Sequence, residues 1–468
     1  MMLEDILKQV YYKSPEPIKN IINKLYSKIP LPYVYGRKFI HYYNWLMKTQ
    51  WLSPDELEEL QNERLRIIIQ HAYENVPYYR RIFNEHGLKP NDIQTKEDLK
   101  LLPILTKDDI RKHFKELIAK NFKKYKPILS HTSGSTGEPL RYYLDKDLLT
   151  LIKAIVWRHW RWCGLNYGEK IAVFRGTLID EFGKKRQCYY KIEGNQIHFS
   201  TFAMDEKTME IYIKKLNEIK PSLIRGYPSS LEILAKFILE KGKKLDFSPK
   251  AIHTSSEVVL PEQREVIEEA FGAPLFDWYG HGESTVCAGE CEYHKGLHLN
   301  VEFGCTEFIK TKETKNMTDV YNIISTSLWN FSMPFIRYDT EDLALLKESK
   351  CPCGRGLPLI KKIIGRQGDI IKGVNGVLVS PSSFVHFWKY KVADRLKNIS
   401  YAQIIQEDID FIRVRLVGMK CKENEEIIKK QLNMLLGNMK IEFEYQQQIP
   451  TGQKWRFTIS KIKLDEIL

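Results

Sequence analysis

Residues 251–283 have the sequence AIHTSSEVVLPEQREVIEEAFGAPLFDWYGHGE, in which two strand patterns flank a helix pattern. The short apolar segments 251–254 and 275–279 predict buried strands. Pro261 stands at the expected first helical position, and Gly272 follows the expected last one, which are the usual places for these residues at helix ends. The stretch therefore predicts a β-α-β unit of a parallel sheet, and with it an α/β fold.

The segment before it repeats the pattern. Apolar side chains recur at helical spacing through residues 209–219, and Pro221 ends that helix. Residues 222–226 predict a short strand, and Ser229 is the predicted N-cap of the next helix. Parallel strands carry their ligands at the carboxyl edge of the sheet, so polar residues that follow successive strands predict one shared site. These polar clusters are residues 225–227, 255–257 and 280–283.

The two ends of the chain differ from this central part. Residues 1–125 predict a mostly helical lead-in, with a clear amphipathic helix at 54–73 that Ser53 would cap. The tail predicts a separate α+β unit, with strands at 410–417 and 441–445 and a helix at 425–436. We therefore expect a large N-terminal domain at 1–366 and a small C-terminal domain at 367–468.

Composition restricts the class of protein. The 468 residues carry a formal net charge of +13, from 72 basic and 59 acidic residues, which suits an anionic ligand such as a nucleotide or coenzyme A. The lysines are spread along the chain, so no nucleic-acid partner is expected. No segment approaches the ~18 apolar residues of a membrane span, and no signal peptide is recognisable, so a cytoplasmic location is predicted. Residues 3–29 mix apolar residues with lysines and leave peripheral membrane contact open, although packing on the main body is the simpler use.

Residues 130–145, SHTSGSTGEPLRYYLD, combine hydroxyl side chains with two glycines. Small residues let the backbone turn tightly and direct successive N–H groups to one point, and hydroxyls add donors, which suits a polyphosphate. By itself the composition also fits a serine-rich surface turn.

With these motifs in this order, the chain resembles the adenylate-forming ligase superfamily. Within it the chain is similar to the phenylacetate–CoA ligase-like branch, which includes members associated with capsular-polysaccharide biosynthesis. The resemblance covers nearly the whole chain, and HTSGSTGEP is similar to the family's phosphate-binding loop. It implies a large AMP-binding domain with parallel β-α-β sheets and a small C-terminal α+β domain on a hinge.

The resemblance also implies which residues bind ATP and AMP. Tyr279 would stack on adenine, Asp342 would accept hydrogen bonds from the ribose hydroxyls, and Glu283 would help to hold Mg²⁺, which prefers oxygen ligands. The implied nucleotide-binding set is Thr132, Ser133, Gly134, Ser135, Thr136, Gly137, Ser255, Ser256, Glu257, Asp277, Trp278, Tyr279, Gly280, His281, Asp342 and Arg366.

Three residues are the implied catalytic groups: Lys454, Glu283 and Arg366. Lys454 matches the family's C-terminal lysine, and a cation there would offset the repulsion between the acid's carboxylate and the α-phosphate of ATP. The implied hinge is Gly368 and Asp369.

Three positions depart from the family pattern. Glu341 stands where glycine is usual, Gly368 where an acidic residue is frequent, and Gln453 where glycine precedes the lysine. The first adds a negative charge beside the ribose motif. The third makes the alignment of the catalytic lysine less secure, because Lys461 or Lys463 could be mistaken for Lys454. None of the three removes a charged catalytic group, so an active enzyme is expected.

The predicted acid pocket contains Tyr143, Tyr227 and His281. The aromatic residues around it are compatible with an aryl acid and equally with core packing. The acid itself and the oligomeric state are not readable from the sequence.

A second cluster predicts a structural zinc site. Cys351 and Cys353 form a close thiolate pair, and Cys291 lies upstream, near two histidines. Thiolates with one imidazole make a closed tetrahedral zinc site. The resemblance favours His298 as the fourth ligand, whereas spacing alone leaves His294 open. Reduced thiols beside a turn are the alternative.

These residues predict ATP-dependent activation of a carboxylic acid to an acyl-adenylate, followed by acyl transfer to a thiol, in the first place coenzyme A. Transfer to an amine or hydroxyl, for instance on a sugar precursor, is the alternative within the same chemistry. A nucleotide-binding scaffold without turnover is the alternative of another class.

Overall fold

The structure is a computed structural model that describes residues 34–132, 140–175, 189–311, 320–366, 371–446 and 457–462, with short gaps at 202–203, 205, 348–349, 376–377, 380–383, 385–386 and 389–391. Residues 133–137, Gly368, Asp369 and Lys454 lie outside these ranges, as does the segment 3–29. Within them, no helix combines the length and the apolar character that crossing a membrane requires.

The N-terminal part is helical. Its α-helices are α1 (Arg37–Thr49), α2 (Pro54–Asn75), α3 (Pro77–Glu85) and α4 (Lys107–Lys112), with 3₁₀ turns at Pro90–Asp92, Lys96–Leu101 and Phe122–Tyr125. The predicted start of α2 is confirmed, because Ser53 accepts a hydrogen bond from the Glu56 N–H while Glu56 reaches back to the Ser53 N–H. This reciprocal pair satisfies two donors that the first turn leaves open.

A twelve-stranded mixed sheet forms the centre of the molecule. Its strand order is β11-β12-β13-β14-β10-β9-β8-β7-β6-β3-β5-β4. The strands are β3 (Ile171–Phe174), β4 (Tyr190–Glu193), β5 (Gln196–Phe199), β6 (Leu223–Gly226), β7 (Ala251–Ser255), β8 (Leu275–Gly280), β9 (Cys287–Glu290), β10 (Leu297–Leu299), β11 (Gly304–Lys310), β12 (Val320–Ser327), β13 (Tyr338–Leu346) and β14 (Leu359–Arg366). Strands β5, β3, β6, β7 and β8 run parallel, whereas β9 to β14 pair antiparallel.

Helices cover both faces of the parallel strands. The helices after α4 are α5 (Lys146–Trp162), α6 (Glu206–Ile219), α7 (Pro228–Glu240) and α8 (Pro261–Phe271). Side chains alternate along each strand, so Leu223 faces the core of α1 and α5 whereas Ile224 faces the core of α6, α7 and α8. A two-stranded hairpin of β1 (Ile128–His131) and β2 (Arg141–Leu144) lies outside this sheet.

The start of α7 differs from the prediction. The N-cap is Tyr227, with Pro228 as the first helical residue, and Ser229 already lies inside the helix. The ends of α8 are as predicted, because Pro261 opens it and Gly272 closes it in the left-handed conformation with φ 63°.

A separate four-stranded sheet contains the C-terminal strands in the order β19-β18-β17-β20. Its elements are β17 (Ile399–Asp408), β18 (Phe411–Gly418), α9 (Lys422–Leu436), β19 (Lys440–Gln446) and β20 (Thr458–Ser460). A small pair, β15 (Ile371–Lys372) and β16 (Leu378–Val379), and a 3₁₀ turn at Ala393–Arg395 precede them. The predicted fold class, a large α/β unit with a small α+β unit after it, is confirmed.

Candidate active site

The carboxyl edge of the parallel strands gathers the predicted polar clusters. Ser255 ends β7, and Ser256 follows it with φ 75°. The guanidinium of Arg175, which directly follows β3, donates to both serine hydroxyls, at 3.3 Å for Ser256. The sequence analysis missed Arg175, although it follows a strand end as the other clusters do.

Glu283 lies in a buried hydrogen-bonded network after β8. His281 donates from Nδ1 to Oε2 at 3.0 Å, and the hydroxyl of Tyr338 donates to Oε1 at 2.7 Å. Burial alone would raise the pKa of Glu283, but the bonds from His281 and Tyr338 outweigh it and hold the pKa well below the usual value. Glu283 is therefore a carboxylate at neutral pH, which a magnesium ligand has to be.

The predicted adenine and ribose residues meet in the structure. The hydroxyl of Tyr279, on β8, donates to Asp342 Oδ2, on β13, at 2.9 Å. Asp342 is also the β-sheet partner of Arg366 across β13 and β14. The three residues lie on three different strands, and the first and last of them are 87 positions apart in the sequence. The tertiary fold thus brings together the motifs that would hold the two halves of adenosine.

Glu341 shows why glycine is usual at its position. Its backbone has φ 60°, in the left-handed region that glycine enters without a steric penalty. Its extra charge is compensated, because Lys107 Nζ lies 2.5 Å from Glu341 Oε2. Ser256, Ser284 and Arg337 also have positive φ, so strained backbone concentrates around this edge of the sheet, as it does at many functional sites.

We expect the variant Glu341→Gly to be more stable than Glu341→Ala by about 1 kcal/mol in free energy of unfolding. Both variants lose the ion pair with Lys107, so their difference isolates the backbone strain at φ 60°. Chemical denaturation of the two proteins measures it. An alanine variant as stable as the glycine variant would contradict the explanation.

Three predicted site residues have other contacts. Asp277 lies on the face of β8 that α8 covers, and Thr254 of the neighbouring β7 donates to it at 2.9 Å. Burial together with the charge of Glu290 raises the pKa of Asp277 to about 7. Glu257 accepts hydrogen bonds from the N–H and the hydroxyl of Ser229, at 3.0 and 3.1 Å, so it caps α7 from the neighbouring strand end. Thr132 forms two 2.9 Å bonds with the backbone of Leu140 and thereby closes the hairpin at the base of the segment 133–139.

A cavity of about 250 Å³ opens beside this edge. Apolar side chains of α5, Trp278, Val286 and Phe303 line one part of it, and Arg175, Ser255, Ser256 and the segment 280–282 line the rest. Of the three predicted pocket residues, His281 lines the cavity, and Tyr227 lies under Arg175, whose guanidinium carbon is 5.5 Å from the tyrosine ring. Tyr143 packs between Phe114 and Phe122, outside the lining.

The glycine at 282 has a specific packing reason. A Cβ at this position would lie 2.6 Å from the hydroxyl of Tyr142, a side chain that is itself 2% exposed. The backbone can therefore approach β2 only without a side chain. This contact joins the β1–β2 hairpin to the segment that carries Glu283.

The predicted zinc ligands lie together. One ligand atom each from Cys291, His298, Cys351 and Cys353 falls within 4.8 Å of all the others. Cys291 Sγ is 3.6 Å from Cys351 Sγ, and Cys353 Sγ is 3.4 Å from His298 Nε2. A tetrahedral zinc ion with bonds of ~2.0 to 2.3 Å needs ligand separations of about 3.4 to 3.8 Å. The donor set therefore fits zinc.

The surroundings orient the histidine as a ligand. His298 Nδ1 donates to the carbonyl of Leu357 at 3.2 Å, which leaves the lone pair of Nε2 facing the sulfur atoms. The alternative, His294, lies elsewhere: its Nδ1 is 3.4 Å from Glu290 Oε2, and its ring packs on Phe276. The tertiary structure thus agrees with the family resemblance in choosing His298, which spacing alone could not do.

Comparison with known proteins gives the family. A profile of the CapK C-terminal domain matches residues 372–461. Protein CapK of Staphylococcus aureus is 29% identical over 471 residues, covering 98% of this chain and all of that protein. The phenylacetate-coenzyme A ligase of Pseudomonas putida is 30% identical over 338 residues, covering 69% of this chain and 74% of that enzyme. The chain belongs to the phenylacetate–CoA ligase family.

The fold of this phenylacetate–CoA ligase family member agrees with a solved structure. A 2-hydroxyisobutyryl-CoA ligase in the postadenylation state superposes with a TM-score of 0.65, at 19% identity, over 89% of this chain and 92% of that one. The predicted resemblance to the adenylate-forming ligases is confirmed, and with it the prediction of an AMP-forming acid–thiol ligase.

Proposed function

We propose that this ligase activates a carboxylic acid in two steps. The acid's carboxylate oxygen attacks the α-phosphorus of ATP, which gives an acyl-adenylate and releases pyrophosphate. The thiol of coenzyme A then attacks the acyl carbon, and AMP leaves. The hydrogen bond between Tyr279 and Asp342 carries this proposal, because it joins an aromatic ring that would stack on adenine to a carboxylate that would accept from the ribose hydroxyls.

The other site residues would support the first step. Residues 132–137 would close over the β- and γ-phosphates, and Ser255 and Ser256 would lie along the adenine. Glu283, which the network with His281 and Tyr338 keeps ionised, would be the protein ligand of Mg²⁺. The metal would neutralise phosphate charge. Arg366, opposite Asp342 on β14, would lie near the ribose and phosphates.

We also propose that the small domain begins after residue 366 and turns about Gly368 and Asp369. One electrostatic interaction supports its approach to the nucleotide site: burial, and then the charge of Glu257, raises the pKa of Tyr401, which lies on β17. Tyr401 therefore lies close to the segment that would line the adenine. Between the two steps, rotation of this domain would withdraw Lys454 from the site and admit the acyl acceptor.

The acyl acceptor has a second candidate. The match to the CapK C-terminal domain spans residues 372–461, and CapK itself aligns over 98% of the chain, whereas the P. putida ligase aligns over 69%. An amine or hydroxyl acceptor, such as a sugar precursor, is the alternative to coenzyme A. Consumption of coenzyme A during turnover distinguishes the two.

A structural zinc ion bound by Cys291, His298, Cys351 and Cys353 is part of the proposal. The cluster joins the loop after β9 to the turn that leads into β14. Because β14 carries Arg366 opposite Asp342, this crosslink would fix the strand on which the small domain is mounted.

The variant Asp342→Ala is expected to raise the KM for ATP about 10- to 100-fold, because it removes charged hydrogen bonds to the ribose. ATP–pyrophosphate exchange, screened over aryl, fatty, hydroxy and dicarboxylic acids, measures it. Tyr279→Phe is the matched control: it loses the 2.9 Å bond to Asp342 but keeps the ring, so a change of only a few fold is expected. Nucleotide binding without exchange for any acid would contradict the proposed reaction and favour a scaffold.

A further inference from the structure

A segment of the helical lead-in is hydrogen-bonded to the strand that carries the proposed ribose carboxylate. The Leu105 N–H donates to the carbonyl of Arg337 at 2.9 Å, and the Asp339 N–H donates to the carbonyl of Leu105 at 3.0 Å. Tyr338, between these two bonds, donates from its hydroxyl to Glu283. The lead-in therefore forms a parallel bridge at the start of β13 and holds the residue that orients the proposed magnesium ligand.

Lys107 adds a charged contact to this connection. It is the first residue of α4, where a cation is unfavourable because the N–H groups of a first turn carry partial positive charge. Its side chain is nevertheless only 13% exposed, and its Nζ lies 2.5 Å from Glu341 Oε2. The needs of the helix therefore do not explain this lysine, whereas its ion pair with Glu341 does.

Glu341 belongs to a group of three carboxyl residues in four consecutive positions, with Asp339 and Asp342. The Glu341 N–H donates to Asp339 Oδ1 at 2.8 Å, and Asp342 accepts from Tyr279. Burial raises the pKa of Asp339, and the charge of Glu341 adds to this effect, whereas the charge of Lys107 opposes it. The lysine thus acts within the group of carboxylates that forms the ribose motif.

We propose that Lys107 is a positioning residue of the nucleotide site and acts through Glu341. Its ammonium group neutralises a carboxylate that stands where glycine is usual in the family, so that ATP, a polyanion, does not meet an extra negative charge beside Asp342. The same ion pair holds the left-handed turn at residue 341 against the lead-in. The inference rests on the proposed ATP site at Tyr279 and Asp342.

The covered position of Lys107 distinguishes this ion pair from an ordinary surface pair. Lys38 and Asp147 are also 2.5 Å apart, but their side chains are 67% and 53% exposed. Water and salt screen such a pair, and its loss has little effect. Loss of the Lys107 charge would instead leave Glu341 uncompensated in a region that already contains Asp339 and Asp342.

The test separates charge from structure by comparing ATP with adenosine, which has no phosphate. Dissociation constants are measured on the full chain at fixed Mg²⁺ and ionic strength, by calorimetry for ATP and by ligand-observed NMR for adenosine. Lys107→Met keeps an unbranched apolar side chain, and it is expected to weaken ATP binding about 5- to 30-fold and adenosine binding less than about 2-fold, because only ATP is repelled by the unpaired carboxylate. Lys107→Arg keeps the charge and should retain most of the affinity for ATP.

A double variant shows whether the lysine acts through Glu341. Lys107→Met combined with Glu341→Gly should bind ATP within about 3-fold of the wild type, because no carboxylate is then left unpaired. In ATP–pyrophosphate exchange, Lys107→Met should raise the KM for ATP and leave kcat within about 2-fold. The matched control is Lys250→Met. Lys250 Nζ also lies 2.5 Å from a carboxylate, that of Glu169, but it precedes β7 at the amino edge of the sheet, so both constants should stay unchanged.

Three results would overturn the inference. Equal weakening of ATP and adenosine binding by Lys107→Met would show that the lysine supports only the fold. Unchanged ATP binding in that variant would show that the lysine has no part in the site. A double variant that binds ATP as weakly as Lys107→Met would show that the lysine does not act through Glu341. A wild type that binds no ATP would refute the proposed function as well, whereas the expected shifts in ATP binding without pyrophosphate exchange would refute only the reaction.

Discussion

Replacing Lys454 by alanine is expected to slow acid-dependent ATP–pyrophosphate exchange about 100- to 1000-fold, which is the usual cost of removing one preorganised charge from a transition state. A carboxylate that approaches the α-phosphate brings two anions together, and a cation that bridges them offsets this repulsion. The reaction of purified acyl-adenylate with coenzyme A should proceed at nearly the wild-type rate, since the phosphoryl transfer is already complete.

The matched control for this prediction is Lys461→Ala. Lys461 follows β20, and its Nζ lies 2.5 Å from Glu407 Oε2, so it is engaged in an ion pair on the small sheet. Its replacement should leave exchange within a few fold of the wild type. If Lys454→Ala retained full exchange, or if Lys461→Ala lost it, the assignment of the catalytic lysine from the TGQKWR motif would be wrong.

Removal of the proposed zinc ion is expected to destabilise the large domain by about 5 kcal/mol or more, because structural zinc sites contribute on the order of 10 kcal/mol to folding. Cys351→Ser should remove the metal, since it leaves three ligands. Elemental analysis should find one zinc per chain in the wild type, and calorimetric unfolding should show a lower melting temperature for the variant.

Two variants separate metal loss from ordinary core damage. His294→Ala should retain zinc, because His294 contacts Glu290 and Phe276 and not the cysteines. Cys305→Ser changes a fully buried thiol outside the cluster and should destabilise without metal loss. A wild-type protein purified without zinc, or a His298→Ala variant that keeps a full equivalent, would refute the site as proposed.

The α/β fold could be predicted because its signals are local. The alternation of apolar segments, Pro261 at a helix start and Gly272 at a helix end are decided by a few neighbouring residues, and the structure has them as expected. The N-cap of α7, by contrast, could not be predicted from neighbouring residues. Glu257, which follows the end of β7, accepts from the first turn that Ser229 was expected to cap.

The antiparallel half of the large sheet gave no comparable signal. Strands β9 to β14 have no intervening helices to mark them, and their pairing order depends on contacts between distant segments. For the same reason the contact of Tyr279 with Asp342 could be expected only from the family resemblance.

The sequence by itself determined the residue types of the site, its motif order and its family, because these are carried by short segments with a fixed chemical purpose. The tertiary structure alone decided which side chains meet. It placed His298 rather than His294 beside the thiols, paired Glu341 with Lys107, and turned Asp277 to the face opposite the cavity. Strand register and packing set these distances, and both depend on residues far away in the chain.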